Sequence, residues 1–179
     1  MKTVEFAPPT AATRFLGAWP TILWIGLLAG TLDISENLIF NQLRGITPTM
    51  VFQFIASGLV GVRAFHGGEA SIALGVAIHY TIAIFWTSAF YAASRELAIL
   101  TRHPVICGLL YGGLVYVIMN FAVLPFSGIP HAPAAMTLAS RISGVLALLF
   151  CIGLTISLLV RSSAPASLPE PVAQEDMLG

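Results

Sequence analysis

The sequence predicts an all-α integral membrane helical bundle, with four long transmembrane helices and one shorter apolar helix that is re-entrant or oblique. Three observations carry that reading. Of 179 residues only 9% are charged and 57% are hydrophobic, whereas a soluble domain carries about 25% charged residues. Mean hydropathy is +0.89. The few charges also divide the chain into long uncharged runs, at residues 15–32, 45–62, 70–94, 103–140 and 142–160. A membrane-spanning helix takes about 20 apolar residues, within a range of about 17 to 25.

These runs set the organisation. Residues 1–14, with Pro8-Pro9, read as a flexible N-terminal tail, residues 15–161 as the transmembrane bundle, and residues 162–179, rich in Ser, Ala and Pro, as a disordered C-terminal tail. The first run starts after Glu5 and is followed by acidic residues, not by an Ala-x-Ala site, so it is expected to stay as an uncleaved first helix.

The first helix is expected from about Phe15 to Phe40, with Trp19 as an interface anchor and Pro20 within its first turns. Thr47-Pro48 has the form of an N-cap followed by proline at the first helical position. The helix it opens, to about Ala64, is apolar on every face except Gln53. An interfacial helix would show a polar face. At about 1.5 Å per residue it is roughly 25 Å long, short for a ~30 Å hydrocarbon core. His66-Gly67-Gly68 ends it. Ala70 to Ser94 reads as a membrane helix, Pro104 to about Leu124 as the next, and Thr137 to Val160 as the last, after a Pro/Gly-rich loop at 125–133.

One stretch stands out. Gly26, Gly30, Asp33 and Asn37 fall on a single stripe of the first helix, with Glu36 to its side. Small-residue faces let membrane helices approach closely. A second pair, Gly108 and Gly112, lies on the fourth run, and the two glycine pairs are expected to pack together. The same faces also allow a homo-oligomer.

Ionisable groups within a span are candidate functional residues. Asp33, Asn37, His79, Asn120 and Arg141 form the expected intramembrane polar cluster. Three readings of Asp33 stay open: a site inside the bundle, a structural pair with Arg141 or Arg63, or a solvated charge beyond a span ending near Leu32. His79 reads as a proton relay, a polar ligand or a hydrogen-bonded core histidine. Arg63, His66 and Glu69 line either a vestibule or an ordinary loop.

Other chemistries are poorly supplied. Formal net charge is zero, with 8 basic and 8 acidic residues, so no basic face for nucleic acid is expected. Cys107 and Cys151 lack metal or redox spacing. No P-loop, nucleophile elbow, zinc pair or dinucleotide fingerprint appears. The expectation is therefore no enzyme, no metal and no cofactor, with the lipid bilayer as the partner.

Under the positive-inside rule, four crossings place Lys2, Arg14, Arg95, Arg102 and Arg161 inside and Arg44, Arg63 and Arg141 outside. Five crossings divide the basic residues equally, so four crossings with both termini cytoplasmic are preferred. The run Val51-Phe-Gln-Phe-Ile-Ala-Ser-Gly-Leu-Val-Gly61, then Ala64-Phe-His-Gly-Gly68, Gly75-x-x-x-His79, Gly108-Leu-Leu-Tyr-Gly-Gly-x-Val-Tyr-x-x-Met-Asn120 and Val123-Leu-Pro125, resembles a group of small bacterial multi-span membrane proteins without assigned activity. That resemblance implies a bacterial inner-membrane location and no particular activity. The chemistry left open is a structural or interaction role, or a small-solute or proton-linked permease.

Overall fold

The computed structural model describes residues 17–129 and 137–163. The N-terminal tail, most of the C-terminal tail and part of the loop expected at 125–133 lie outside the described residues. All regular structure among the described residues is helical. Among the described residues, five helices are long and apolar enough to cross a membrane, as in a multi-pass membrane protein: α1 (Trp19–Gln42), α2 (Pro48–His66), α3 (Gly68–Glu96), α4 (Pro104–Phe126) and α5 (Leu138–Ser162). A single helical turn, Ile99–Arg102, joins α3 to α4.

Local chemistry places the ends. Pro20 stands in the first turn of α1, where its missing N–H has no helical partner to lose. The Thr47 side chain accepts the Met50 N–H, and Pro48 follows as the first residue of α2. Gly61 takes a φ of 64°, which turns α2 from an α-helix into a short 3-10 segment over Gly61–His66. The Thr137 side chain accepts the Ser140 N–H at the start of α5. Two stretches widen into π-helix, Met119–Val123 in α4 and Leu148–Leu154 in α5. In the second, the Thr155 hydroxyl donates to the Phe150 carbonyl at 3.0 Å, five residues back.

Contacts between side chains give the helix directions. A side chain at Gly26 would meet Ile84 and Thr87, and one at Gly30 would meet Ala83 and Tyr80. Rising numbers on α1 thus meet falling numbers on α3, and the two helices are antiparallel. Glu36 pairs with Ser143 and Arg44 with Ser140, so α5 is antiparallel to α1 as well. Gly108 faces Gly153, Leu154 and Ser157, and Gly112 faces Leu148 and Leu149, which makes α4 and α5 a third antiparallel pair. One end of the bundle therefore holds the start of α1, the end of α3, the start of α4 and the end of α5. The opposite end holds the reverse termini and α2.

At that far end α2 is clamped. The Phe52 backbone lies against Gly75 of α3, and the Gly128 N–H donates to the Gly58 carbonyl at 2.8 Å. The core runs down the middle of the bundle, through Ile25 and Ala29 of α1, Phe90 of α3, and Ile152, Ile156 and Val160 of α5. Burying such side chains against helix neighbours leaves the outward apolar side chains, such as Leu110 and Phe121, free for lipid.

The two glycine pairs do not meet each other. Gly26 and Gly30 serve the α1–α3 contact, while Gly108 and Gly112 serve α4–α5, where Gly153 completes the close approach. The reason is lateral: α1 and α4 run parallel and share depth, but α3 and α5 lie against α1.

Adjacent glycines on α4 give a sharp test. A Cβ at Gly112 would run into the Leu148 carbonyl, while one at Gly113 would find nothing within 4 Å. Gly112→Ala is expected to destabilise by about 2 kcal/mol, as overpacking against backbone does. Gly113→Ala is expected to stabilise by up to about 1 kcal/mol, since alanine is the better helix former. Thermal unfolding of both variants in detergent checks the opposite signs.

Candidate functional site

Three helices build one polar site. On α1, Gly26 and Gly30 turn toward α3, while Ile25 and Ala29 turn toward α5. One further turn along, Asp33 and Glu36 repeat that division. Asp33 is half-buried and close enough to His79 of α3 for their charges to interact. Glu36 accepts a hydrogen bond from the Ser143 hydroxyl of α5 at 2.5 Å. Cys151 of α5 lies within electrostatic reach of both carboxylates.

The imidazole is fixed by backbone. His79 Nε2 sits 2.8 Å from the Gly30 carbonyl oxygen. A carbonyl only accepts, so Nε2 carries the hydrogen and Nδ1 is the nitrogen left to gain or lose a proton. Gly30 makes this contact geometrically available, because any side chain there would lie 2.9 Å from the Ala83 Cβ. Beside it, the Tyr80 ring meets the His79 ring edge-on at 5.3 Å, and its hydroxyl bonds Thr31 Oγ1 at 3.0 Å.

The helix continues past the site. Asp33 stands fourteen residues after Trp19, or about 21 Å along the axis at 1.5 Å per residue. Nine more helical residues follow before α1 ends at Gln42, including Leu38, Ile39 and Phe40. The helix itself therefore runs on past Leu32 and carries both carboxylates.

Of the five residues expected to cluster, Asp33 and His79 come together and the other three do not. Asn37 is exposed and pairs within its own helix, accepting from Asn41 Nδ2 at 3.0 Å. Asn120 donates to the Tyr116 carbonyl of its own helix at 2.9 Å. Arg141 is exposed beside Ile142, Val145 and Leu146. Its neighbours Ser140 and Ser143 face α1, and at 100° per residue that turns Arg141 away. Glu36, Ser143, Cys151 and Tyr80 take the places of the absent members. Their signal in the sequence is faint: a second carboxylate three residues after the first, and small polar residues along the last apolar run.

Concavities among the described residues lie elsewhere. One of about 540 Å³ is lined by Leu59, Val60, Arg63, Ala70, Ser71 and Leu74. A smaller one of about 190 Å³ is lined by Arg141, Ile142, Val145 and Leu146. Neither borders Asp33, His79 or Asn120. Among the described residues, no three His, Cys, Asp or Glu side chains gather as a metal site. Chemically, the α1–α3–α5 site sets a carboxylate and an imidazole near one another, and its hydrogen bonds lock α1 between its two neighbours.

The lock is measurable. Interhelical hydrogen bonds in membrane proteins average about 0.6 kcal/mol and reach about 1.7 kcal/mol. Ser143→Ala and Glu36→Gln are each expected to lower stability by about 1 kcal/mol, and the double variant by less than their sum. Additive losses in the thermal unfolding of all three would show that the two side chains do not act together.

No protein-family model, curated protein or solved structure matches the chain.

Proposed function

We propose that this protein is a structural or interaction protein of a bacterial inner (plasma) membrane, without catalytic activity. The observation that carries the reading is how its polar groups are used. His79 is bonded to the Gly30 carbonyl, Glu36 to Ser143, Tyr111 to the Trp86 carbonyl at 2.6 Å and Ser157 to the Pro104 carbonyl at 2.8 Å. Each of these bonds ties one helix to another. Among the described residues, no buried side-chain nitrogen or oxygen lacks a partner. Polar groups in a bilayer must be satisfied internally, and here the satisfaction goes into holding the bundle together.

The topology that suits this reading has four crossings. Because α1 and α3 run in opposite directions, a chain in which both cross leaves α2 on one side, as an oblique helix capping the far end. The near end then holds Arg95, Arg102 and Arg161, with Lys2 and Arg14 preceding α1, against Arg44, Arg63 and Arg141 at the far end. That bias of five to three favours cytoplasmic termini. The glycine faces are spent on contacts within the chain, so a homo-oligomer would use other surfaces.

A second reading is kept for one observation, the approach of Asp33 to His79 within the apolar bundle. It is the arrangement a proton-linked permease would use.

Two experiments decide. A compartment-specific reporter fused to the C-terminus is expected to report the cytoplasm, and a periplasmic signal would overturn the topology. In proteoliposomes, the wild-type chain is expected to add no proton flux above protein-free vesicles. Flux that appears with the wild type and falls in both Asp33→Asn and His79→Ala would replace the structural reading with the permease.

A further inference from the structure

A concavity of about 540 Å³ lies outside the α1–α3–α5 site, between α2 and the start of α3. Its lining has two characters. Leu59, Val60, Ala70 and Leu74 make an aliphatic wall. Arg63 and Ser71 stand beside that wall as its polar members. Arg63 is exposed, and no carboxylate pairs with it among the described residues. Ser71 is only 7% exposed, yet its hydroxyl has no hydrogen-bond partner among the described residues. The hydroxyl oxygen is not closed off from solvent, so it is free to donate a hydrogen bond to a group from outside the chain.

The backbone adds to this. The first turn of α3 has Gly67 as its N-cap and no side-chain cap. Helix N-termini carry partial positive charge and free N–H groups that favour anions. Gly67 also lacks the Cβ that would collide with the Ser71 hydroxyl, so the space beside it stays open. Glu69 is the carboxylate nearest in sequence, in the same turn. It is exposed and is not among the residues lining the cleft.

We propose that this cleft binds one anionic phospholipid, its phosphate on Arg63 and Ser71 and an acyl chain along Leu59, Val60 and Leu74. The charge and the unpaired hydroxyl select an anion. The aliphatic wall selects an anion that carries a hydrocarbon chain over a free phosphate. The position at the far end of the bundle, where α2 turns back toward α3, is where headgroup and chain would be met together.

Native mass spectrometry of the full chain in detergent, titrated with phosphatidylglycerol, phosphatidylcholine or glycerol 3-phosphate, reads the proposal directly. Phosphatidylglycerol is expected to be retained about fivefold better than phosphatidylcholine, the size of effect one arginine has at a lipid surface. Arg63→Gln is expected to abolish that preference, and Leu74→Trp, which fills the wall and keeps the charge, to lower retention of both lipids. Glycerol 3-phosphate is expected not to bind. The proposal fails if the two lipids are retained equally by the wild type, or if Arg63→Gln keeps the preference. It fails equally if glycerol 3-phosphate competes as well as lipid, which would make the cleft a free-anion site. Should Arg63→Gln not fold, unchanged lipid retention by Leu74→Trp overturns the proposal by itself.

Discussion

The close approach of α1 to α3 at Gly26 and Gly30 is the contact on which the other relationships rest. Two helices meet at this distance only when one of them has no side chain in the way. Here the gap at Gly26 is filled by Ile84 and Thr87, and the gap at Gly30 by Ala83 and Tyr80. The same approach brings His79 within hydrogen-bond range of a backbone carbonyl that a longer side chain would have shielded. It also fixes α1 antiparallel to α3. Once that direction is set, α2 has only the far end of the bundle to occupy, and its 3-10 turn at Gly61–His66 is the device that reverses the chain there.

The second close approach, between α4 and α5, works by the same physics with a different partner. Gly108 and Gly112 face a π-helical stretch, and Gly153 within it removes the last obstructing Cβ. A π-helical turn carries one extra residue per turn and re-aims the side chains that follow. In α5 it lies between Ser143, which bonds Glu36, and Ile156, which fills the core. That local widening lets one helix serve α1 and α4 together.

Much of this was legible in the sequence, and the illegible part has a definite cause. Charge spacing gave the apolar helices, and Thr47-Pro48 and Pro104 marked starts that the chain uses. Four-apart glycines marked packing faces. What periodicity could not give is which faces oppose each other. Depth in the membrane can be read from distance along a helix, and on that ground Asn120 is expected beside Asp33. Lateral position cannot be read that way, and Asn120 bonds its own helix instead. Arg141 shows the same limit at finer scale, since one residue of rotation separates it from the serines that reach α1. Glu36 was visible as a carboxylate, but its role depended on Ser143, more than a hundred positions away. No local pattern announced the π-helical segments.

Geometry at His79 bears on which functional reading the site favours. A histidine relays protons by accepting at one ring nitrogen and releasing at the other. Nε2 of His79 is held against the Gly30 carbonyl, which can accept a hydrogen bond but passes no proton onward. Relay would require that bond to break, and with it one of the ties between α1 and α3. The bond that orients the imidazole is thus one of the ties that hold α1 against α3, and what the geometry shows of it is packing.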